Sequence, residues 1–77
     1  MAKLYVSTDS NFYSVKKDTV EKCLRKIIKM NGYELERSQK GLTVDELLKH
    51  IDECNGDGCD YIISIIDLEQ GLVIYHI

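Results

Sequence analysis

The sequence predicts an α+β fold: a two-layer α/β sandwich in the order β-α-β-α-β-β, with two helices packed on a four-stranded mixed sheet. Three observations carry this. Two segments place their apolar residues on one helical face, and four segments alternate or run apolar in the manner of strands. A length of 77 residues allows one core and not two, so residues 1–77 are expected to form a single domain.

Leu4 and Val6 alternate with Tyr5 between Lys3 and Thr8, which reads as the first strand. The polar run Ser7-Thr8-Asp9-Ser10-Asn11 is expected to end it and to lead into a helix beginning at Ser14 or at Asp18. Asp18-x-x-Glu21 resembles a capping box, and Val20, Cys23, Leu24, Ile27 and Ile28 form one apolar face behind it. Asn31-Gly32 supplies the residue types that end helices. Tyr33-Glu34-Leu35-Glu36-Arg37 alternates and reads as a short second strand, after which Gln39-Lys40-Gly41 turns the chain.

The second helix has the strongest local signal. Thr43-x-x-Glu46 makes a capping box, Leu42 and Leu47 stand where a hydrophobic staple would place them, and Val44, Leu47, Leu48 and Ile51 share a face that ends near Asn55-Gly56. Residues 61–67 are apolar at nearly every position, the mark of a strand covered on both faces, and are expected inside the sheet. Leu68-Glu69-Gln70-Gly71 fits a four-residue hairpin loop, with residues 72–77 returning as the last strand.

No apolar run approaches the roughly 18 residues of a membrane span, and Met1-Ala2-Lys3-Leu4 opens directly into a strand-like pattern. A soluble protein that stays in the cytoplasm is expected. The three cysteines, Cys23, Cys54 and Cys59, agree with reduced thiols better than with a secreted disulfide scaffold. Proline is absent and Ala2 is the only alanine, while Ile and Lys are plentiful. That bias fits an A+T-rich coding sequence such as that of a low-GC bacterium, its phages or mobile elements.

The net charge of −3 conceals a division. Residues 1–43 hold nine Lys or Arg against five Asp or Glu, a surplus of +4, whereas residues 44–77 hold Lys49 against eight acids, −7. The two halves should attract each other or address different partners.

The two C-terminal strand segments are apolar on both faces, and two helices on one face of a sheet cover only half of that surface. The surplus is read as an interface, with Tyr5, Ile63, Ile65, Val73, Tyr75 and Ile77 as contacts. The expected function is a non-enzymatic protein–protein interaction module that docks through its sheet on itself, as a homodimer, or on another protein, as an adaptor or inhibitor. An alternative uses Lys22, Arg25, Lys26 and Lys29, a one-signed stripe opposite the apolar face of the first helix, to bind nucleic-acid phosphates. Another builds a small metal or thiol protein on His50, Cys54 and Cys59, with Asp57 and Asp60 nearby, although a fourth zinc ligand is wanting.

Glu53-x-Asn55-x-Asp57-Gly58 copies the first half of an EF-hand loop, but Ser64 stands where the bidentate Glu belongs. Asp9, Ser10 and Asn11 lie at a strand end, where α/β enzymes often place chemistry, yet without the glycines of a phosphate loop. No catalytic arrangement can be assigned, and no cofactor is implied.

Overall fold

The computed structural model describes residues 1–30, 43–55 and 61–77. Within them the chain runs β1 (Ala2–Thr8), β2 (Phe12–Lys17), α1 (Val20–Met30), α2 (Val44–Cys54), β3 (Ile62–Asp67) and β4 (Leu72–His76). The strands form one sheet in the order β2-β1-β3-β4, with every neighbouring pair antiparallel. The α+β class and the interior position of β3 agree with the sequence reading. Two features correct it: the sheet is antiparallel rather than mixed, and residues 12–17 form a strand rather than the approach to a helix. The strand expected at 33–37, the turns at 31–32 and 39–41, and Leu42 of the staple all lie outside the described residues.

The first hairpin turns where a strand-to-helix connection was expected. The Thr8 N–H donates to the Asn11 carbonyl at 2.9 Å, and the Asn11 N–H donates back to Thr8 Oγ1 at 2.9 Å. Thr8 thus closes a four-residue turn with its backbone and its hydroxyl. Beyond it the alternation in β2 is that of a half-buried strand, with Tyr13 and Val15 opposite Val6 and Leu4, and Phe12, Ser14 and Lys16 on the other side.

α1 starts one residue later than the Asp18 box implies, because Thr19 accepts the Lys22 N–H at 3.2 Å while the Asp18 carboxylate pairs with the Lys22 ammonium at 3.3 Å. α2 starts as read: Thr43 Oγ1 accepts the Glu46 N–H, and Glu46 Oε1 accepts the Thr43 N–H. At the second hairpin Asp67 is 3% exposed and accepts the N–H groups of Glu69 and Gln70, and Gly71 takes the left-handed φ of 68° that closes the loop.

Both helices cover the same face. Ala2, Leu4, Val6, Val15, Ile62 and Ile65 meet Cys23, Leu24, Ile27, Ile28, Leu47 and Ile51 in one buried core. Cys23 fastens α1 to the first hairpin, its thiol lying 3.5 Å from the Ala2 carbonyl and 3.6 Å from that of Val15. The molecule measures 30 × 28 × 17 Å, with both helices on one side of the sheet and, among the described residues, no element on the other.

Candidate binding surfaces

Which side chains stand on the uncovered face follows from the register, because residues directly opposite across two strands point to the same side. Ser14 faces Tyr5, Tyr5 faces Ile66, and Ile66 faces Val73. These four make one row across all four strands. A second row runs Phe12, Ser7, Ser64, His76, and on the other flank Lys16 lies opposite Lys3. The Phe12 and Tyr5 rings meet edge to face with centroids 4.2 Å apart. Phe12 and Val73 are each 62% exposed. Asp67 is the only carboxylate in the four described strands, and it is buried on the helical side, so the charged strand residues on the open face are Lys3 and Lys16.

The structure divides the residue set that the sequence pattern places on this face. Tyr5 and Val73 are there. Ile65 is fully buried beneath the helices, opposite Val6, and Tyr75 lies opposite Ile65 on the helical side. Ile63 is half-buried at an irregularity in the β1–β3 register, and Ile77 is exposed beyond β4 with its N–H donating to the Ile63 carbonyl at 3.1 Å. The reason is two register shifts, one between Ser7 and Thr8 against β1's neighbour and one between Ile65 and Ile66 against β4. Each leaves an extra residue on one strand and inverts the alternation past it. Ile66 and Phe12 are the open-face residues that simple alternation misses.

Tyr75 has a structural post instead. Its hydroxyl donates to Asp52 Oδ1 at 3.0 Å and accepts from Asn55 Nδ2 at 3.0 Å, tying β4 to the end of α2. Burial, reinforced by the Asp52 bond, pushes the phenol up to about 12. The neutral phenol is the form the fold prefers, so its contribution is complete below pH 10 and is lost as pH climbs from 10 through 12. Thermal melts across that window are expected to show stability falling, and Tyr75→Phe, which has no proton to lose, is expected to flatten the fall; an identical decline in both proteins would show that Tyr75 is not responsible.

α1 carries Lys22, Arg25, Lys26 and Lys29 outward, as the sequence pattern requires, and the fold adds Lys16 and Lys17 from the end of β2. Lys17, Lys22, Arg25, Lys26 and Lys29 line a hollow of about 310 Å³. An adjoining hollow of about 480 Å³ is lined by Met1, Lys16, Lys17, Asp18 and Lys22.

At the other end of the helical layer, Cys54 Sγ lies 3.7 Å from His50 Nε2. Cys59, Asp57 and Asp60 lie outside the described residues, and among the described residues no three His, Cys, Asp or Glu side chains gather as a metal site. Asn55 of the partial EF-hand pattern is committed to the Ile62 backbone. Burial raises the Cys23 thiol above its ordinary value, the opposite of what a nucleophile requires. Among the described residues no helix is long and apolar enough to cross a membrane. Comparison with known protein families, curated proteins and solved structures finds no match to this chain.

Proposed function

We propose that the chain is a non-enzymatic binding module that pairs with a second copy of itself through the open face of its sheet. The observation that carries this is the unbroken row Tyr5, Ile66, Val73, extended by Phe12, on a face that no element covers among the described residues. Small domains gain stability from burying such a face against a partner, since their own cores are limited.

The second copy fits on size and on charge. The broad side of the molecule measures 30 × 28 Å, comparable with the ~800 Å² that each partner contributes to an interface of standard size. A twofold axis running across the strands along the Tyr5–Ile66–Val73 row stacks that row on its own copy. The same operation reverses the flanks, so that Lys16 lies toward Phe12 of the partner subunit and Lys3 toward the partner's Ser7. Apolar then meets apolar, each lysine avoids its own copy, and one cation faces an aromatic ring.

Sedimentation at increasing concentration is expected to show a dimer. Val73→Lys places two like charges within the contact, where the two copies of Val73 stack, and should yield a folded monomer, whereas Leu72→Lys, exposed but pointing to the other side, should leave the dimer intact. A wild type that stays monomeric at high micromolar concentration, or a Val73→Lys protein that still dimerises, would overturn the proposal.

A further inference from the structure

The cationic furrow between β2 and α1 needs no second copy, and only Lys16, on the open side of β2, is shared with the sheet face. We propose that it binds the phosphodiester backbone of nucleic acid, without preference for base sequence. Six cations from two elements converge there: Lys16, Lys17, Lys22, Arg25, Lys26 and Lys29. The two hollows are shallow and share Lys17 and Lys22, so the cations stand side by side along β2 and α1.

The fold does little to neutralise this charge. Lys22 pairs with Asp18 at 3.3 Å and Arg25 with Glu21 at 3.5 Å, i,i+4 pairs of which the first is exposed and the second partly exposed, the kind that water screens. Among the described residues no carboxylate pairs with Lys16, Lys17, Lys26 or Lys29. Along α1, Lys22 and Lys29 stand seven residues apart, a track of ~10 Å at 1.5 Å per residue, with Arg25 and Lys26 between them. A linear, regularly charged polymer is the ligand that satisfies such a track. Five of the six are lysines, which act as point charges on phosphates, and the described groove offers no amide or acid side chain suited to reading base edges other than Asp18, which is held by Lys22.

The chain's net negative charge is no obstacle, because the charges are spatially divided. Four exposed acids of the described helical layer, Asp45, Glu46, Asp52 and Glu53, are on α2, whose end is tied to β4, while α1 packs over β1 and β2 at the opposite side of the sheet and has Glu21 paired with Arg25 and the preceding Asp18 paired with Lys22. Exposed charges are screened over ~8 Å at physiological salt, and the cations line the furrow themselves. A phosphate in the furrow therefore feels the cations, and the acidic end turns the other side of the molecule away from the polymer.

The test uses fluorescently labelled oligothymidylate and a mixed-sequence DNA duplex of equal length, with polyglutamate as an anionic control, at several salt concentrations. The wild type is expected to bind at least one DNA form at low salt, with affinity falling steeply as salt rises. The Lys26→Glu, Lys29→Glu double variant is expected to bind at least about tenfold more weakly and to flatten the salt slope by about two units. Lys49→Glu, on α2 and outside the furrow, is expected to bind as the wild type does. Circular dichroism establishes that each variant is folded. The proposal is overturned by absence of DNA binding at low salt, by a double variant that binds unchanged, or by polyglutamate binding as tightly as DNA, which would make the partner an acidic protein.

Discussion

Asn55→Ala is expected to cost about 3 kcal/mol, a large part of the ~4–12 kcal/mol that a domain of this length typically has. Asn55 caps α2 in extended backbone, with φ −63° and ψ 127°, and its side-chain amide then imitates a strand neighbour. Nδ2 donates to the Ile62 carbonyl at 2.8 Å, and Oδ1 accepts the Ile62 N–H at 2.8 Å. The same Nδ2 donates to the Tyr75 hydroxyl at 3.0 Å, which in turn holds Asp52. One amide therefore joins α2, β3 and β4. Alanine would orphan both backbone groups of a residue that is itself fully buried, and unsatisfied buried groups cost about 1–3 kcal/mol each. Asn55→Asp keeps an acceptor for the Ile62 N–H but turns a carboxylate toward the Ile62 carbonyl, so it is also expected to destabilise. Glu53→Ala, exposed on the same helix, should stay within about 0.5 kcal/mol. Denaturant midpoints decide the matter: an Asn55→Ala midpoint equal to that of Glu53→Ala would mean that this network carries no weight.

The sequence announces both helices because their signals are local. Each writes its core face at helical spacing, and the Thr43–Glu46 box needs only its own turn to form. The interior place of β3 is legible for a similar reason, since a strand flanked on both sides has to be apolar along most of its length. β2 carries a readable alternation in Tyr13 and Val15, but the polar turn before it and the charged residues after it make a helix approach equally consistent with the pattern. Asn55 reads as an ordinary turn former, because its partners Ile62 and Tyr75 lie 7 and 20 residues away. The basic stripe on α1 is legible, whereas its extension by Lys16 and Lys17 depends on β2 being a strand beside the helix. The apolar surplus at the C-terminal end is also legible as a quantity, but its distribution between the two faces depends on irregularities that alternation cannot reveal.

Adjacent isoleucines offer the sharpest measurement of that distribution. Ile65 lies opposite Val6 and Tyr75 beneath the helices and is fully buried, whereas Ile66 lies opposite Tyr5 and Val73 on the open face. Ile65→Lys would bring an ammonium into an apolar core that already uses the space. Neutralising the ammonium, or opening the core to hydrate it, is expected to cost about 4 kcal/mol or more, leaving the chain largely unfolded. Ile66→Lys meets a different environment, because the lysine stem can lie along Tyr5 while its ammonium reaches water, and its effect on the isolated fold should stay within about 1 kcal/mol. What Ile66→Lys should abolish is the proposed pairing of two open faces, since each copy would then bring a charge to the centre of the contact. Circular dichroism and sedimentation on the two variants together separate fold from association. Unfolded Ile65→Lys beside a folded, monomeric Ile66→Lys is the expected pair of results; if both proteins unfold, or both fold, the division of the sheet into a helical and an open face at residues 65 and 66 is wrong.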